Sequence, residues 1–262
     1  MLKQRVAVAA VGLPLLAGLI ALPEPVFAAV LAVILAAATF EMIRALVPDL
    51  SLSLPLSAGV TTALFVAIAR VEPDLPWWSL LAVTALALGL ILRPRSRLSN
   101  SIGGWWITAV LYVAVLGAHL ALLRLEPHGQ AWLVVLLAVT FGTDTGAYAV
   151  GRLFGRRLLA PAISPAKTWE GAGGGLLLGA AAGLAVVLGP TEVGLEPVGM
   201  LLLALLPVAA IGGDLLESAL KRRMDVKDMS ALLPGHGGLL DRLDSVLLVG
   251  VGLYWIVRWL QT

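Results

Sequence analysis

The chain has 262 residues, of which 60% are hydrophobic and 13% are charged, and its formal net charge is +2. Apolar stretches close to the roughly 20 residues of a membrane-crossing helix recur along it, which excludes an ordinary water-soluble domain. The sequence contains no cysteine, which excludes disulfides, thiolate metal sites and a cysteine nucleophile.

About nine apolar stretches predict an all-α polytopic membrane protein without a separate extramembrane domain. The predicted spans are 6–22, 26–46, 52–69, 75–92, 103–123, 131–151, 170–188, 197–220 and 240–260. The first stretch also fits a cleavable signal peptide, because a basic start precedes it and a small-residue site follows it. We divide the chain into N-terminal transmembrane helices, 1–130, and a C-terminal transmembrane region, 131–262.

The distribution of cations predicts the orientation, because lysine and arginine near span ends stay on the cytoplasmic side. With the N-terminus inside, only Arg70, Arg124 and Arg258 of the 18 lysines and arginines lie on the outer side. The predicted outer loop at 189–197 carries glutamates but no cation. We therefore predict an N-in, C-out protein of the inner, cytoplasmic membrane.

Asp144 lies deep within the predicted span 131–151. A carboxylate at such depth costs roughly 2.5 to 3.5 kcal/mol on insertion scales, so it should face a protein interior or a wet cavity. A functional role, such as metal binding, is the default expectation for it. The alternative is a structural hydrogen bond with Thr143, Thr145 or Tyr148.

The end of the eighth predicted span places a polar stripe on one helix face. Its residues, at i, i+3, i+4 and i+7, are Asp214, Glu217, Ser218 and Lys221. Two carboxylates one turn apart suit a hard cation with oxygen ligands, which would offset their repulsion. An ion pair between Glu217 and Lys221 on a solvated face is the alternative, but it does not explain Asp214.

The last predicted span opens with LLDRLDS and repeats that spacing through Asp241, Asp244 and Ser245. The two aspartates could bind metal, or they could cap the helix and complement its dipole. The preceding sequence PGHGG, at 234–238, cannot be a regular helix and offers backbone N–H groups to a phosphate, with a plain tight turn as the alternative. His236 within it is a candidate for phosphate contact or proton transfer.

The segment SPAKTWEG supplies hydroxyl groups and a cation just before a predicted helix, as an anion site would. Its candidate residues are Ser164, Lys167, Thr168 and Glu170. An ordinary capping segment is the alternative. Close helix packing is predicted for the glycines that follow, which are Gly171, Gly173, Gly174 and Gly175.

Carboxylates for a divalent metal, cations for phosphate groups and a hydrocarbon wall are thus predicted at one membrane face. A lipid phosphate would present its headgroup at that boundary, and a nucleoside triphosphate would arrive with Mg²⁺ from the cytosol. Phosphoryl or nucleotidyl transfer depends mainly on positioning and charge neutralisation, which these residue types can provide.

The block at 218–244 resembles the signature of the phosphatidate cytidylyltransferases, also called CDP-diglyceride synthases. The matching residues are Ser218, Lys221, Arg222, Lys227, Asp228, Ser230, Pro234, His236, Gly237, Gly238, Asp241, Arg242 and Asp244. The segments around Asp144 and SPAKTWEG are also similar to that family. The resemblance is close over roughly 140–250, and it extends to the N-terminal half only in hydropathy.

This resemblance implies transfer of CMP from CTP to phosphatidic acid, a membrane lipid, and it implies a requirement for Mg²⁺ and a homodimer. A metal centre would lie at Asp214 and Asp241, with Asp144, Glu217 and Asp244 as further ligands and a monovalent cation such as K⁺ as a second ion. The catalytic residues would be Asp214, Asp241, Lys221, Asp244 and His236.

The resemblance also implies a set of side chains and backbone groups that bind the two substrates. They are Ser164, Lys167, Thr168, Glu170, Ser218, Arg222, Lys227, Gly237, Gly238 and Arg242. No nucleic-acid partner is expected. An ion-coupled transporter using Asp144 and Asp214, or a CTP-dependent polyprenol kinase, is the alternative function.

Overall fold

The computed structural model of the chain describes residues 2–46, 48, 51–72, 102–191, 193–230 and 237–260. Most of these residues are helical, which confirms the predicted all-α fold class. The predicted span 75–92 lies outside the described residues.

Each of the other predicted spans corresponds to a helix. The helices are α1 (Leu2–Ala21), α2 (Glu24–Leu46), α3 (Ser53–Val71), α4 (Ile102–Leu125), α5 (Gly129–Phe154), α6 (Trp169–Val187), α7 (Pro197–Arg223) and α8 (Asp244–Leu260). Within the described residues, 6 helices, α2 to α7, are long and apolar enough to cross a membrane. The chain is therefore a multi-pass membrane protein.

The start of the last predicted span is wrong. Leu240–Arg242 forms a separate 3-10 turn, and α8 begins only at Asp244. Asp241 binds the backbone N–H of Gly238 instead of continuing a helix. The two aspartates therefore do not share one helical stripe, as their spacing had predicted.

A short antiparallel hairpin between α5 and α6 was not predicted. Its strands are β1 (Leu158–Ala160) and β2 (Ser164–Thr168), and Leu158 pairs with Thr168 while Ala160 pairs with Ser164. Hydropathy gives little signal for such a hairpin, because the strands are short and only partly buried. It fixes the direction in which the chain enters α6.

The chain folds into two compact units. Unit 1 comprises Met1–Leu122 and Met224–Arg242. In it α2 packs against α3, where the hydroxyl groups of Thr39 and Thr62 lie 2.9 Å apart in the buried contact. Its core is formed by apolar side chains from several helices, among them Leu35, Met42, Ala58 and Val113.

Unit 2 comprises Leu123–Arg223 and Leu243–Thr262. In it α5 packs along α6 so closely that a Cβ atom on Gly146 would lie 2.3 Å from the carbonyl oxygen of Gly174. Close packing is confirmed for three of the four glycines predicted to allow it, but it is wrong for Gly173, which has no neighbouring atom within 4 Å of a Cβ position. The helices α7 and α8 pack against each other and complete the unit.

Candidate active site

Asp214, in the second half of α7, forms an ion pair with Lys167 of β2. Both side chains are partly buried, with 34% of Asp214 and 23% of Lys167 exposed. The hydroxyl of Ser218, one turn further along α7, lies 3.5 Å from the second oxygen of Asp214. The structure thus brings together residues from the predicted polar stripe and from the SPAKTWEG segment.

The first residues of α8 lie directly against α7 beside Asp214. A Cβ atom on Gly213 would lie 2.5 Å from the carbonyl oxygen of Asp244, so only glycine allows this approach. The carboxyl group of Asp244 is partly buried there, and it experiences the negative charges of Asp214 and Asp144 and the positive charge of Lys167. Three carboxyl groups and one ammonium group therefore form an acidic cluster in unit 2.

Asp144 contributes to this cluster from α5, and its side chain is exposed. Two of the neighbours considered as its structural partners have other hydrogen bonds. The hydroxyl of Thr143 donates to the carbonyl oxygen of Val139 at 2.7 Å, and the hydroxyl of Tyr148 accepts from Arg152 at 2.7 Å. Asp144 therefore adds a third, exposed carboxyl group to the cluster.

Two of the predicted anion-binding residues have roles at the start of α6. The hydroxyl of Thr168 accepts from the N–H of Gly171 at 3.1 Å and caps the helix. The carboxylate of Glu170 accepts from the N–H groups of Arg156 at 3.1 Å and Arg157 at 3.2 Å. The capping alternative therefore accounts for Thr168, whereas Glu170 binds the backbone that follows α5 and Lys167 forms an ion pair with Asp214.

The last turns of α7 hold the remaining polar residues of the predicted stripe. Glu217 is buried, with 1% of its side chain exposed, and it forms a 2.6 Å ion pair with Lys221. The alternative interpretation, an ion pair between Glu217 and Lys221, is thus correct about the pair. It is wrong about a solvated face, because Glu217 is buried. Arg222 donates to the carbonyl oxygen of Ile163 at 3.2 Å, which joins the end of α7 to the hairpin.

Unit 1 contains a second group of signature residues around Asp241. One oxygen of this carboxylate accepts from the N–H of Gly238 at 2.7 Å and from the N–H of Met229 at 3.3 Å. Gly237 has a φ of 78°, and a Cβ atom on it would lie 2.4 Å from the same oxygen. Glycine is required there by both the backbone angle and the space.

Glu41 of α2 is a residue that the sequence analysis missed. It is 7% exposed, and its carboxylate accepts hydrogen bonds from Ser230, Leu239 and Leu240. The sequence does contain a signal for it. Glu41 is a carboxylate within an apolar span, and the same argument identified Asp144.

Lys227 and Arg242 are exposed, and His236 lies outside the described residues. Among the residues that the structure describes, no group of three or more His, Cys, Asp or Glu side chains is already arranged to hold a metal ion. The acidic cluster therefore brings charges together without forming a closed metal site.

The sequence matches the model of the family described as "Cytidylyltransferase family" over residues 3–260. The chain belongs to this family. A phosphatidate cytidylyltransferase of Pseudomonas aeruginosa is 35% identical to it over 278 residues, which cover 99% of both proteins. One of Mycobacterium bovis is 34% identical over 94% of this chain and 84% of its own length. One of Bacillus subtilis is 37% identical over 68% of this chain and 66% of its own length.

Membership of the cytidylyltransferase family extends beyond the signature. The match includes the N-terminal half, where the sequence analysis had found similarity only in hydropathy, and so it includes Glu41. Within this cytidylyltransferase, the signature residues are divided between the units. Ser218, Lys221, Arg222 and Asp244 belong to unit 2, and Lys227, Gly237, Gly238, Asp241 and Arg242 belong to unit 1.

Proposed function

We propose that this protein transfers CMP from CTP to phosphatidic acid and so forms CDP-diacylglycerol and pyrophosphate. The observation that carries the proposal is similarity along almost the whole chain to proteins named phosphatidate cytidylyltransferase. The acidic cluster supports it, because carboxylates beside a lysine at the end of a membrane helix suit the reaction of a charged nucleotide with a lipid.

In this reaction a phosphate oxygen of phosphatidic acid attacks the α-phosphorus of CTP. The new bond joins that oxygen to the phosphorus, and the bond from the α-phosphorus to the bridging oxygen breaks, so pyrophosphate leaves. The attacking oxygen is already ionised and needs no general base. The residues must therefore mainly orient two anions and reduce their repulsion, and the role predicted for His236 stays a prediction.

The donor set of the acidic cluster fits Mg²⁺. Carboxylate oxygens are the ligands that this ion takes in proteins, and the cluster sets three carboxyl groups beside a single ammonium group. We propose that Asp214 and Asp244, with Asp144, hold the ion. When bound, it would supply positive charge to the triphosphate oxygens. The roles of Asp241 and Glu217 as ligands, and of a second ion such as K⁺, remain predictions.

The cations of unit 2 would receive the phosphate groups. Lys167 and Lys221 both lie against carboxylates, so each has a partner that an incoming phosphate could replace. Arg222 is exposed and held by the hairpin at the same end of α7. A guanidinium group can bind a phosphate through two parallel hydrogen bonds, which favours a phosphate-binding role for Arg222.

We further propose that the protein lies in the inner membrane with this site facing the cytoplasm and that it acts as a homodimer. The cation distribution supports this orientation, since the loops near Arg156 and Arg222 are rich in basic residues. In that arrangement CTP reaches the site from the cytosol and phosphatidic acid reaches it within the bilayer.

The test is a product assay on the purified protein in detergent with CTP, phosphatidic acid and Mg²⁺. We expect labelled CDP-diacylglycerol and pyrophosphate in equal amounts, and no product after chelation of the metal. Release of CDP in place of pyrophosphate would indicate a lipid kinase. Absence of both products from a monodisperse sample would contradict the proposal.

A further inference from the structure

Glu41 is a buried carboxylate that the proposed reaction has not yet used. Its Oε1 accepts from the hydroxyl of Ser230 at 2.7 Å, and its Oε2 accepts from the N–H of Leu239 at 2.7 Å and of Leu240 at 3.3 Å. Hydrogen bonds to an ionised carboxylate are about twice as strong as neutral ones. A buried acid with three donors is thus a strong local anchor.

The three donors lie on both sides of the sequence 231–236. Ser230 precedes it, while Leu239 and Leu240 follow it closely. The Oε2 atom also fills the space beside Gly238, since a Cβ atom there would lie 2.8 Å away. Glu41 therefore binds residues on both sides of a segment that contains the signature residues Pro234 and His236.

A second carboxylate binds the same stretch of backbone. Asp241 accepts from the N–H of Gly238, and Glu41 accepts from the next two N–H groups along the chain. The 3-10 turn that begins at Leu240 carries Asp241 and Arg242. The contact with Glu41 therefore lies at the start of the turn that carries these two signature residues.

We propose that Glu41 is a positioning residue for the cytidylyltransferase reaction, which holds the turn carrying Asp241 and Arg242 in the orientation that binds CTP. This inference rests on the proposed function. Glu41 need not touch the substrate, because it acts through the backbone that it binds. Loss of a partner that orients a metal-ligating side chain typically lowers metal affinity or activity about 10- to 100-fold, and we expect an effect of this size here.

The test compares Glu41→Gln with Glu24→Gln in the full-length protein. Glu24 is the matched control, because it is a carboxylate of the same helix and the same unit, paired with Arg70 at 2.5 Å, away from the signature. For Glu41→Gln we expect kcat/KM for CTP to fall about 10- to 100-fold, with a raised KM for CTP. We also expect faster amide hydrogen exchange over 237–242. Glu24→Gln should retain the wild-type KM and exchange rate.

The raised KM separates positioning from loss of folded protein, since a smaller folded fraction lowers the rate at saturation but leaves KM unchanged. An unchanged KM together with unchanged exchange in Glu41→Gln would overturn the proposal. If Glu41→Gln cannot be purified, Ser230→Ala serves as the second variant, because it removes one of the three donors. Its KM for CTP and its exchange rates should change in the same direction by a smaller amount. A wild-type KM and wild-type exchange in Ser230→Ala would also overturn the proposal.

The exchange measurement also distinguishes this inference from the proposed function. If the wild-type protein forms no CDP-diacylglycerol, the proposed function fails and with it the catalytic part of the inference. The exchange rates over 237–242 would still show whether Glu41 holds the turn. If the wild-type protein is active and Glu41→Gln has no effect, the proposed function stands and only the inference about Glu41 fails.

Discussion

Lys167 is the residue on which the charge balance of the acidic cluster depends. Its ammonium group pairs with Asp214 and also acts on Asp244, which in turn experiences the charge of Asp144. Carboxylates that lie close together repel one another unless a cation is present. Lys167 can therefore stabilise the cluster before substrate and metal arrive.

Asp214→Asn and Asp244→Asn should each lower CDP-diacylglycerol formation by about 100-fold or more, because each removes a charge on which nucleotide positioning depends. The measurement is incorporation of labelled CTP into extracted lipid. The matched control is Asp225→Asn. Asp225 is exposed and has a φ of 56°, a conformation that asparagine also adopts readily. Full activity in both cluster variants would contradict the assignment.

Lys167→Gln should make thermal stability depend more strongly on Mg²⁺. Without the ammonium group, the three carboxylates repel one another, so we expect a Tm a few degrees below that of the wild type. Added Mg²⁺ should raise the Tm of the variant more than that of the wild type. Lys227→Gln, which removes an exposed cation, is the control for this stability measurement. Equal Mg²⁺ shifts in all three proteins would contradict this role of Lys167, and no shift in any of them would contradict a metal in the cluster.

The residues of the acidic cluster could be identified from the sequence because each is a charged residue in an unusual position. Asp144 and Asp214 are carboxylates in apolar helices, and Lys167 follows a loop rich in arginine. Glu41 was missed because it is a single carboxylate near the end of an apolar span, far in sequence from the charged block at 218–244. The partners of Thr168 and Glu170 could not be read from spacing, since capping and anion binding use the same residue types.

The contact between α7 and α8 is the element-level feature that forms the acidic cluster. Gly213 allows the backbone of Asp244 to approach α7, which places two carboxylates of distant sequence beside each other. Hydropathy predicted both helices but could not predict this contact. It also extended the last helix back to residue 240, because LLDRLDS has helical spacing. In the structure the Asp241 carboxylate instead accepts a hydrogen bond from the N–H of Gly238, three residues earlier.

Gly213→Ala should separate α7 from α8 and so impair both stability and catalysis. The added methyl group would lie 2.5 Å from the Asp244 carbonyl oxygen, and overpacking of this kind typically costs about 1 to 3 kcal/mol. We expect a lower Tm and at least about tenfold lower activity, since small displacements at a reacting site are costly.

The neighbouring glycine provides the control for this change. A Cβ atom on Gly212 has no atom within 4 Å, and alanine has a higher helix propensity than glycine by up to about 1 kcal/mol. Gly212→Ala should therefore keep the wild-type activity and an equal or higher Tm. Equal behaviour of the two alanine variants would show that the close contact at Gly213 is unimportant.

At the scale of the whole molecule, unit 1 is discontinuous in sequence, because it combines Met1–Leu122 with Met224–Arg242. Hydropathy locates helices but contains no information on which helices pack together. The division predicted at residue 130 follows chain order, and the location of catalysis in its C-terminal part stays a prediction. Only the polar residues inside apolar helices, such as Glu41, indicate such long-range contacts from sequence.

The predicted orientation can be tested directly because the natural chain has no cysteine. Arg156→Cys and Thr191→Cys each introduce a single thiol at an exposed position on opposite predicted sides. In sealed right-side-out membrane vesicles, an impermeant maleimide should label Thr191→Cys at once and Arg156→Cys only after permeabilisation. The reverse pattern would contradict the N-in, C-out orientation.

The contact of Glu41 with its donors has a consequence for how the protein is made. Ser230 lies 189 residues after Glu41, and Leu239 lies 198 residues after it. At about 5 to 20 residues per second, a ribosome needs roughly 10 to 40 seconds to synthesise that interval. During this time the nascent α2 carries its acid without these donors. Chains that stop before Ser230 would keep Glu41 in an apolar helix without any of these donors.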